Sequence, residues 1–358
     1  MQNFAFMLHP MHAGDVSRKF KFARFVPDRV IERAFAMLPS MKVAHITGVR
    51  SSLAETEGWF IACPLTADLM MRFPQEYVLK KIIQGGRVAE KLGAKILGLG
   101  AFTKVVGDAG VTVAKELKIP VTTGNSYTVA TAIESTRAAA QAMGHDLKSS
   151  NVVILGATGA IGRICALILA RDAKSMTLVA RNERKLEELA GKILYDTGLA
   201  VKVTSDTGKA LRSADVIITV TSSIDTVIEP EDLKPGAVVC DVARPRDVSA
   251  RVAELRDDVL VIEGGVVEIP GDVEFNLNFG FPPRTAYACM AETMILSLEK
   301  RYESYTLGRE LTIEQVEEID ALAGKHGFKL GGFRSFGRAM TAQEIEQIKQ
   351  RAGQNKFI

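Results

Sequence analysis

The sequence predicts an α/β protein built on a doubly wound parallel sheet, and three observations carry that expectation. Residues 150 to about 265 alternate strand and helix, with NVVIL, SMTLVA, AVKVT, DVIITV, AVVCDV and VLVIE as the strands. Their dense Val/Ile content, with little polar alternation, suits parallel strands covered by helices on both faces. The first of them runs straight into Gly156-Ala-Thr-Gly159-Ala-Ile-Gly162 and then the helix RICALILA. A glycine turn between strand and helix lets a phosphate approach the backbone, and the helix N-terminus meets it with unpaired N–H groups and a partial positive charge. The spacing is GxxGxxG, a variant of the usual fingerprint, so a Rossmann-type dinucleotide domain is expected, with a turn made only for packing as the alternative.

The other elements follow in order. MKVAHITGV and GWFIACPL read as strands, and residues 76–92 as a helix because Val78, Ile82 and Val88 recur among charges. AKILGLG and IPVTTGN read as buried strands, and a long helix follows from Ser126 to about Met143, where Gly144 stops it. Pro282-Pro283 is read as opening a helix that runs to about Tyr302. Thr312 with Gln315, and Thr341 with Glu344, have capping-box spacing for two later helices. The expected organisation is residues 1–147 as a substrate-binding α/β domain, 148–280 as the dinucleotide domain and 281–358 as a helical segment with a C-terminal tail.

Composition narrows the class. With 358 residues, 47% hydrophobic and 24% charged, the chain reads as a folded enzyme of more than one domain. A net charge of +3 gives no nucleic-acid footprint. Cys63, Cys165, Cys240 and Cys289 form no CxxC pair, so no metal site is expected, and scattered thiols suit a reducing cytoplasm. The first residues lack the basic start of a signal peptide, and the longest apolar runs are too short or too polar to span a membrane.

The expected cofactor is NADPH. Gly156, Thr158, Gly159, Ala160, Ile161 and Gly162 form the turn. The second strand ends in Ala180-Arg181-Asn182, then Arg184 and Lys185, where an NAD site carries an acidic residue for the ribose 2′-hydroxyl. Arg181, Asn182 and Arg184 suit a 2′-phosphate instead; solvation of a helix start is the alternative. Thr221, at the end of the fourth strand, stands where the nicotinamide lies in such folds, or is an ordinary loop residue.

The chemistry is less directly legible. His145 and His326 look like surface or capping residues, and no histidine has a visible carboxylate partner. Cys63 and Cys165 read as core, while Cys240 ends a strand and could face the crevice. Cys289 lies off the apolar stripe Tyr287, Ala291, Met294, Ile295 and Leu298, near a helix N-terminus with Arg284 about a turn away. Both neighbours favour a lowered thiol pKa; a small hydrophobe packed under another domain is the equal alternative.

Several segments together resemble a known family. GAFTKVV (100–106), TTGNSYTVA (122–130), LGATGAIG (155–162), ARNERKL (180–186), EGGVVE (263–268), AYACMAETMILSLE (286–299) and TIEQVEEI…KHGF (312–328) resemble, in this order, the long-chain acyl-[acyl-carrier-protein] reductases of the cyanobacterial type. The resemblance implies NADPH-dependent reduction of a fatty acyl thioester to a fatty aldehyde, with the nucleophilic cysteine falling on Cys289. It implies acyl carrier protein or acyl-coenzyme A as the substrate's carrier and an aldehyde-consuming enzyme as a partner. Thr123, Gly124 and Asn125 become candidate oxyanion donors, with helix capping as the alternative for Asn125 and Ser126, and Glu268 is a candidate for orienting a catalytic group, with a loop hydrogen-bond anchor as the commoner alternative. Phe4, Phe6, Phe20, Phe22, Phe25 and Phe35 are compatible with an acyl tunnel, with ordinary core as the reading for most of them. Two features depart from the family's pattern: Lys104, where it carries a small polar residue, and the tail 329–358.

Other readings stay open at this point. CDVARPRDV (240–248) resembles a segment of glutamyl-tRNA reductases, for which Cys63 is the only candidate thiol. A shikimate-dehydrogenase-like enzyme would use Lys104 with Asp108, and a non-catalytic NADPH sensor would use none of these groups.

Overall fold

The computed structural model of the chain describes residues 3–18, 25–223 and 225–355. It divides into two compact units. Unit one comprises residues 1–127, 267–311 and 317–329, and unit two comprises 128–266, 312–316 and 330–358.

In unit one the elements run β1 (Asn3–Leu8), α1 (Asp28–Met37), β2 (Met41–Arg50), β3 (Glu55–Ala62), α2 (Ala67–Arg72), α3 (Gln75–Lys91), β4 (Leu97–Leu99), a 3-10 turn (Ala101–Lys104), α4 (Val111–Glu116) and β5 (Val121–Thr122). The sheet order is β2-β3-β1-β4-β5, parallel throughout except for β2 at its edge. The central strand β1 is the apolar run NFAFML, which was not among the expected strands because it shows no period-two alternation. On one face Ala5, Met7, Ile61, Leu97 and Leu99 pack with Val78 and Ile82 of α3 in a single apolar cluster. Alternation along a strand sends Phe6 and Gly98 to the opposite face.

That second face is covered by chain from far downstream. After α5 (Asn125–Met143), within which the two units meet in sequence, the chain builds unit two. It returns through the strands Val266–Glu268 and Thr285–Tyr287 to the helix 288–298. A Cβ added at Gly98 would stand 2.1 Å from Thr293 Oγ1, so the strand and this helix lie in direct contact. Thr56 of β3 meets Ser297 of the same helix at 2.7 Å.

Unit two holds β6 (Asn151–Leu155), α6 (Ala160–Leu169), β7 (Ser175–Val179), α7 (Glu183–Thr197), β8 (Lys202–Thr204), α8 (Thr207–Arg212), β9 (Val216–Thr219), β10 (Val238–Asp241), α9 (Ala250–Leu255) and β11 (Leu260–Glu263). All six expected strands are present. Their order, β11-β10-β9-β6-β7-β8, is parallel throughout and is the arrangement of a dinucleotide-binding sheet, with the strand order reversing between β6 and β9.

Further elements include β12 (Val266–Glu268), β13 (Thr285–Tyr287), α10 (Ala288–Leu298), α11 (Ile313–His326) and α12 (Ala342–Asn355). Both expected capping boxes form: Thr312 and Gln315 exchange bonds of 3.1 and 3.2 Å, and Thr341 and Glu344 bonds of 2.7 and 3.2 Å.

The expected organisation is corrected in two places. The boundary falls after Tyr127 rather than at 147, and residues 281–358 are not a unit of their own. The helix that Pro282 was expected to open begins instead at Ala288, after Arg284 takes a positive φ of 62°. Its residues from Ala288 to Leu298 are all buried except Cys289. A helix that is apolar nearly all round is the cover of a core rather than an appendage.

Candidate active site

Cys289 occupies the first turn of α10 and keeps partial exposure, whereas Cys63, Cys165 and Cys240 are buried. Cys240 does not face a crevice: it is fully buried, with its thiol 3.8 Å from the Ala132 carbonyl. Burial pushes the thiols of Cys63 and Cys240 up to about 12, and that of Cys165 well above its ordinary value.

The expectation of a lowered Cys289 thiol is overturned. Burial pushes it up; the Lys104 ammonium pulls it down, the Glu292 carboxylate adds to the rise, and backbone N–H groups at the start of α10 pull it down again. Arg284 plays no part, because it is paired with Glu268 at 3.3 Å where both side chains are about half exposed. That pair also leaves Glu268 on the surface rather than orienting a catalytic group.

The turn between β5 and α5 presses against the thiol-bearing residue. Gly124 has φ +71°, and a Cβ there would lie 2.3 Å from Cys289 Cα and 2.5 Å from its carbonyl oxygen. Only glycine satisfies both the dihedral and the space. Asn125 and Lys104 meet at this turn: Lys104 Nζ donates to Asn125 Oδ1 at 2.8 Å and to the Thr123 carbonyl at 3.2 Å. Because an ammonium can only donate, this bond fixes the amide's oxygen toward Lys104 and turns its NH2 the other way.

The 3-10 turn that carries Lys104 is anchored in its own right. His9, at the end of β1, accepts the Phe102 N–H at Nε2 (3.0 Å), and its Nδ1 lies 2.9 Å from the Pro10 carbonyl. One nitrogen accepts and the other donates, so the ring is held neutral, and burial lowers its pKa to about 4.

Thr123 is committed elsewhere. Its N–H and hydroxyl both engage Thr306, at 3.0 Å to the carbonyl and 3.1 Å to the side chain. Of the three expected oxyanion donors, Asn125 is the one with a side-chain donor turned away from an existing partner. The Lys104–Asp108 pair does not form: Asp108 caps Thr112, accepting its N–H at 2.9 Å and its hydroxyl at 2.7 Å.

Sequence reading did not identify Glu292, three residues beyond Cys289. It is fully buried. Oε1 accepts the hydroxyls of Thr122 (2.5 Å) and Thr306 (3.0 Å); Oε2 accepts the Ser126 hydroxyl (2.6 Å) and the Tyr127 N–H (3.0 Å). An acidic residue within the apolar run MAETMIL was the available signal.

His326 also differs from expectation. It is buried, with Nε2 2.5 Å from Glu299 and Nδ1 2.8 Å from the Ser51 hydroxyl, partners 27 and 275 residues away in sequence. Among the tunnel candidates, Phe4 and Phe6 are core, Phe25 is 90% exposed, Phe35 packs beside Ile31, and Phe20 and Phe22 lie outside the described residues. A different aromatic row reaches the start of α10. Phe60, Phe279, Phe281 and Tyr287 follow one another at ring separations of 5.6, 5.5 and 4.5 Å, with Phe275 beside Phe279 at 4.9 Å.

In unit two the glycine turn has the geometry a dinucleotide requires. Gly156 has φ +83°, and a Cβ there would lie 2.7 Å from the Val220 carbonyl; at Gly162 it would lie 2.4 Å from the Gly156 carbonyl. Gly159 caps α6 with no side-chain hydrogen bond to the helix's first N–H groups, and Thr158, Ala160 and Ile161 keep partial exposure. A pyrophosphate fits such an end. Arg181 is exposed just beyond β7. Asn182 caps α7 through the Lys185 N–H (3.0 Å), and Arg184 pairs with Glu188 at 2.9 Å, so both have local structural tasks. Thr221 is fixed by the fully buried Asp247, which accepts its hydroxyl at 2.5 Å and its N–H at 2.9 Å.

Comparison with known proteins agrees with this fold. The shikimate / quinate 5-dehydrogenase family matches residues 137–263, which lie within unit two. Aminotransferase PigE of Serratia sp. is 31% identical over 348 residues, 93% of this chain but 40% of that protein. A long-chain acyl-[acyl-carrier-protein] reductase of Synechococcus elongatus is 28% identical over 332 residues, covering 88% of this chain and 94% of that one. A glutamyl-tRNA reductase of Neisseria gonorrhoeae is 25% identical over 242 residues, 65% of this chain and 54% of that one. The aminotransferase apart, these similarities group the chain with Rossmann-type oxidoreductases. Among the described residues no helix is long and apolar enough to cross a membrane, and no cluster of three or more potential metal ligands occurs.

The exposure pattern sets an expected outcome. Iodoacetamide labels one thiol per folded chain, at Cys289, and the other three only after unfolding. The labelling midpoint lies at higher pH than that of an exposed cysteine peptide run in parallel, and Lys104→Met moves it higher still. A midpoint below the peptide's, or one that Lys104→Met leaves in place, contradicts the electrostatic account.

Proposed function

We propose that the protein reduces a long-chain acyl thioester to an aldehyde, with NADPH as reductant and Cys289 as the nucleophile. The observation that carries this reading is the one cysteine that is not fully buried, seated at a helix N-terminus against the Gly124 turn with Lys104 and Asn125 beside that turn. Its support from relatives is the acyl-[acyl-carrier-protein] reductase, matched over 94% of its length.

In this reading the Cys289 thiolate adds to the substrate carbonyl. The carbon–sulfur bond to the carrier breaks, and the carrier sulfur takes up the proton that Cys289 gave. Bound NADPH supplies a hydride equivalent. The oxyanion then held on Cys289 collapses, the bond from its sulfur to carbon breaks, and the aldehyde leaves as the thiolate regains a proton. Overall, acyl thioester, NADPH and a proton yield aldehyde, free carrier thiol and NADP+. We assign the Asn125 amide and the Lys104 ammonium as donors to the oxyanion at each addition. Burial raises the Cys289 thiol, and Lys104 is the cation that draws it down toward the thiolate. The apolar chain is assigned to the aromatic row ending at Tyr287.

Gly156, Thr158, Gly159, Ala160, Ile161 and Gly162 would hold the pyrophosphate, Arg181 the 2′-phosphate and the Thr221 loop the nicotinamide end. Acyl carrier protein and acyl-coenzyme A are the two carriers this chemistry accommodates. An aldehyde-consuming partner is consistent with the Serratia relative, since an aminotransferase acts on a carbonyl and the matched region is 40% of that chain. A glutamyl-tRNA-reductase-like mechanism at Cys63 is disfavoured by that thiol's complete burial.

The test offers NADPH with acyl thioesters of medium to long chain on both carriers and assays aldehyde by gas chromatography. Wild type forms aldehyde; Cys289→Ser forms none, at unchanged NADPH affinity. Aldehyde from Cys289→Ser, or none from wild type with either carrier, ends the reading.

Cofactor preference has its own readout. Arg181→Asp sets a carboxylate against the 2′-phosphate. A lost charge-assisted bond is about 1.5–3 kcal/mol, so the NADPH dissociation constant rises at least about tenfold while that for NADH changes little. Equal effects on both cofactors mean that the phosphate is read elsewhere.

A further inference from the structure

We infer that Glu292 is the positioning residue of the site, the tether that holds the 122–127 turn against Cys289. The inference rests on Cys289 being the nucleophile. A carboxylate has about four lone-pair positions, and each oxygen of Glu292 accepts two donors. A carboxylate so saturated has no position left with which to accept a proton from Cys289, which rules out general-base duty in this arrangement. Three of the four donors, from Thr122, Ser126 and Tyr127, bracket Gly124 and Asn125. The fourth, Thr306, also engages both the hydroxyl and the N–H of Thr123.

The placement is costly by the ordinary rules. Among the described residues no ion pair neutralises Glu292, although it is fully buried, and hydroxyl and N–H donors alone solvate the charge. Its charge also makes the neighbouring thiol harder to ionise. A neutral residue would serve nucleophilicity better. What the carboxylate provides is four acceptor positions in one place, which ties a turn 170 residues earlier in the chain to the helix that bears the nucleophile. Gly124 makes the same contact from the other side, since nothing larger than its hydrogen fits against Cys289.

The consequence is a pair of opposite effects, told from loss of fold by Cys63, Cys165 and Cys240, which stay unlabelled while the chain is folded. Glu292→Gln keeps the volume, but its NH2 faces donors, so the turn loosens, while the negative charge beside the thiol disappears. The charged and titratable groups around this point are Lys104 on the 3-10 turn, Cys289 and Glu292 on α10, and Tyr305, whose hydroxyl is bound to Glu318. Of these only Glu292 changes. Expected for Glu292→Gln are faster iodoacetamide labelling of Cys289 at a given pH and slower aldehyde formation from palmitoyl-coenzyme A and NADPH. Removing one oxyanion donor outright costs roughly 10²–10³ in rate, so a loosened one should cost about tenfold or more, in kcat rather than KM.

Unchanged turnover overturns the inference, as does labelling that slows together with turnover. If Glu292→Gln does not fold, Ser126→Ala removes one donor to Oε2 and leaves the charge; a fall in kcat at near wild-type thermal stability supports the tether, and an unchanged kcat overturns it. If wild type forms no aldehyde, the acyl-reduction reading has failed, yet the labelling comparison still decides whether Glu292 governs Cys289.

Discussion

The fit of the Thr122–Tyr127 turn against Cys289 is the constraint on which the candidate site depends. The turn approaches so closely that position 124 accepts only a hydrogen, and the buried Glu292 carboxylate gathers four donors from the turn and from Thr306. Without that junction α10 would still cover the sheet through Gly98, Thr293, Thr56 and Ser297, but the thiol would have no defined neighbour. The same turn receives Lys104, whose own segment is held by the neutral His9. Cation, amide and thiol are thus brought together by the Gly124–Cys289 approach, the Lys104–Asn125 hydrogen bond and the fully buried Glu292 carboxylate.

The nucleotide-binding unit uses a related device. Glycines at 156 and 162 allow backbone to approach backbone, and Asp247 fixes the Thr221 loop as Glu292 fixes the Thr122–Tyr127 turn. In each unit a buried carboxylate that accepts hydroxyl and N–H donors sets a loop at the carboxyl end of a strand. Such groups are affordable only when fully bonded, which makes the loops well defined.

How much of this was legible in the sequence depended on whether the signal was local. The six strands of the dinucleotide sheet, the glycine turn and both capping boxes are written in runs of fewer than ten residues and appear where expected. The first unit was harder: β1 is a short apolar run without alternation, which periodicity alone cannot call a strand, and the cover of its sheet comes from α10, which helix periodicity alone cannot assign to a partner. The thiol's electrostatics were misjudged for the same reason. Arg284 is near in sequence but turned away by a left-handed backbone, whereas the cation that acts on Cys289 comes from residue 104. Glu292 and His326 bind partners far away in sequence, and no periodicity argument reaches across that distance. The family resemblance supplied the role proposed for Cys289; the residues alone had left it tied with a packing role.

The central claim is that a covalent acyl group passes through Cys289. Intact protein incubated with an acyl thioester in the absence of NADPH, then digested with trypsin and analysed by tandem mass spectrometry, tests it most directly. The account predicts one hydroxylamine-labile acyl group, on the peptide from Thr285 to Lys300 and on its cysteine. An adduct on the peptide of Cys63 or Cys240, or release of carrier thiol with no adduct at all, would contradict it.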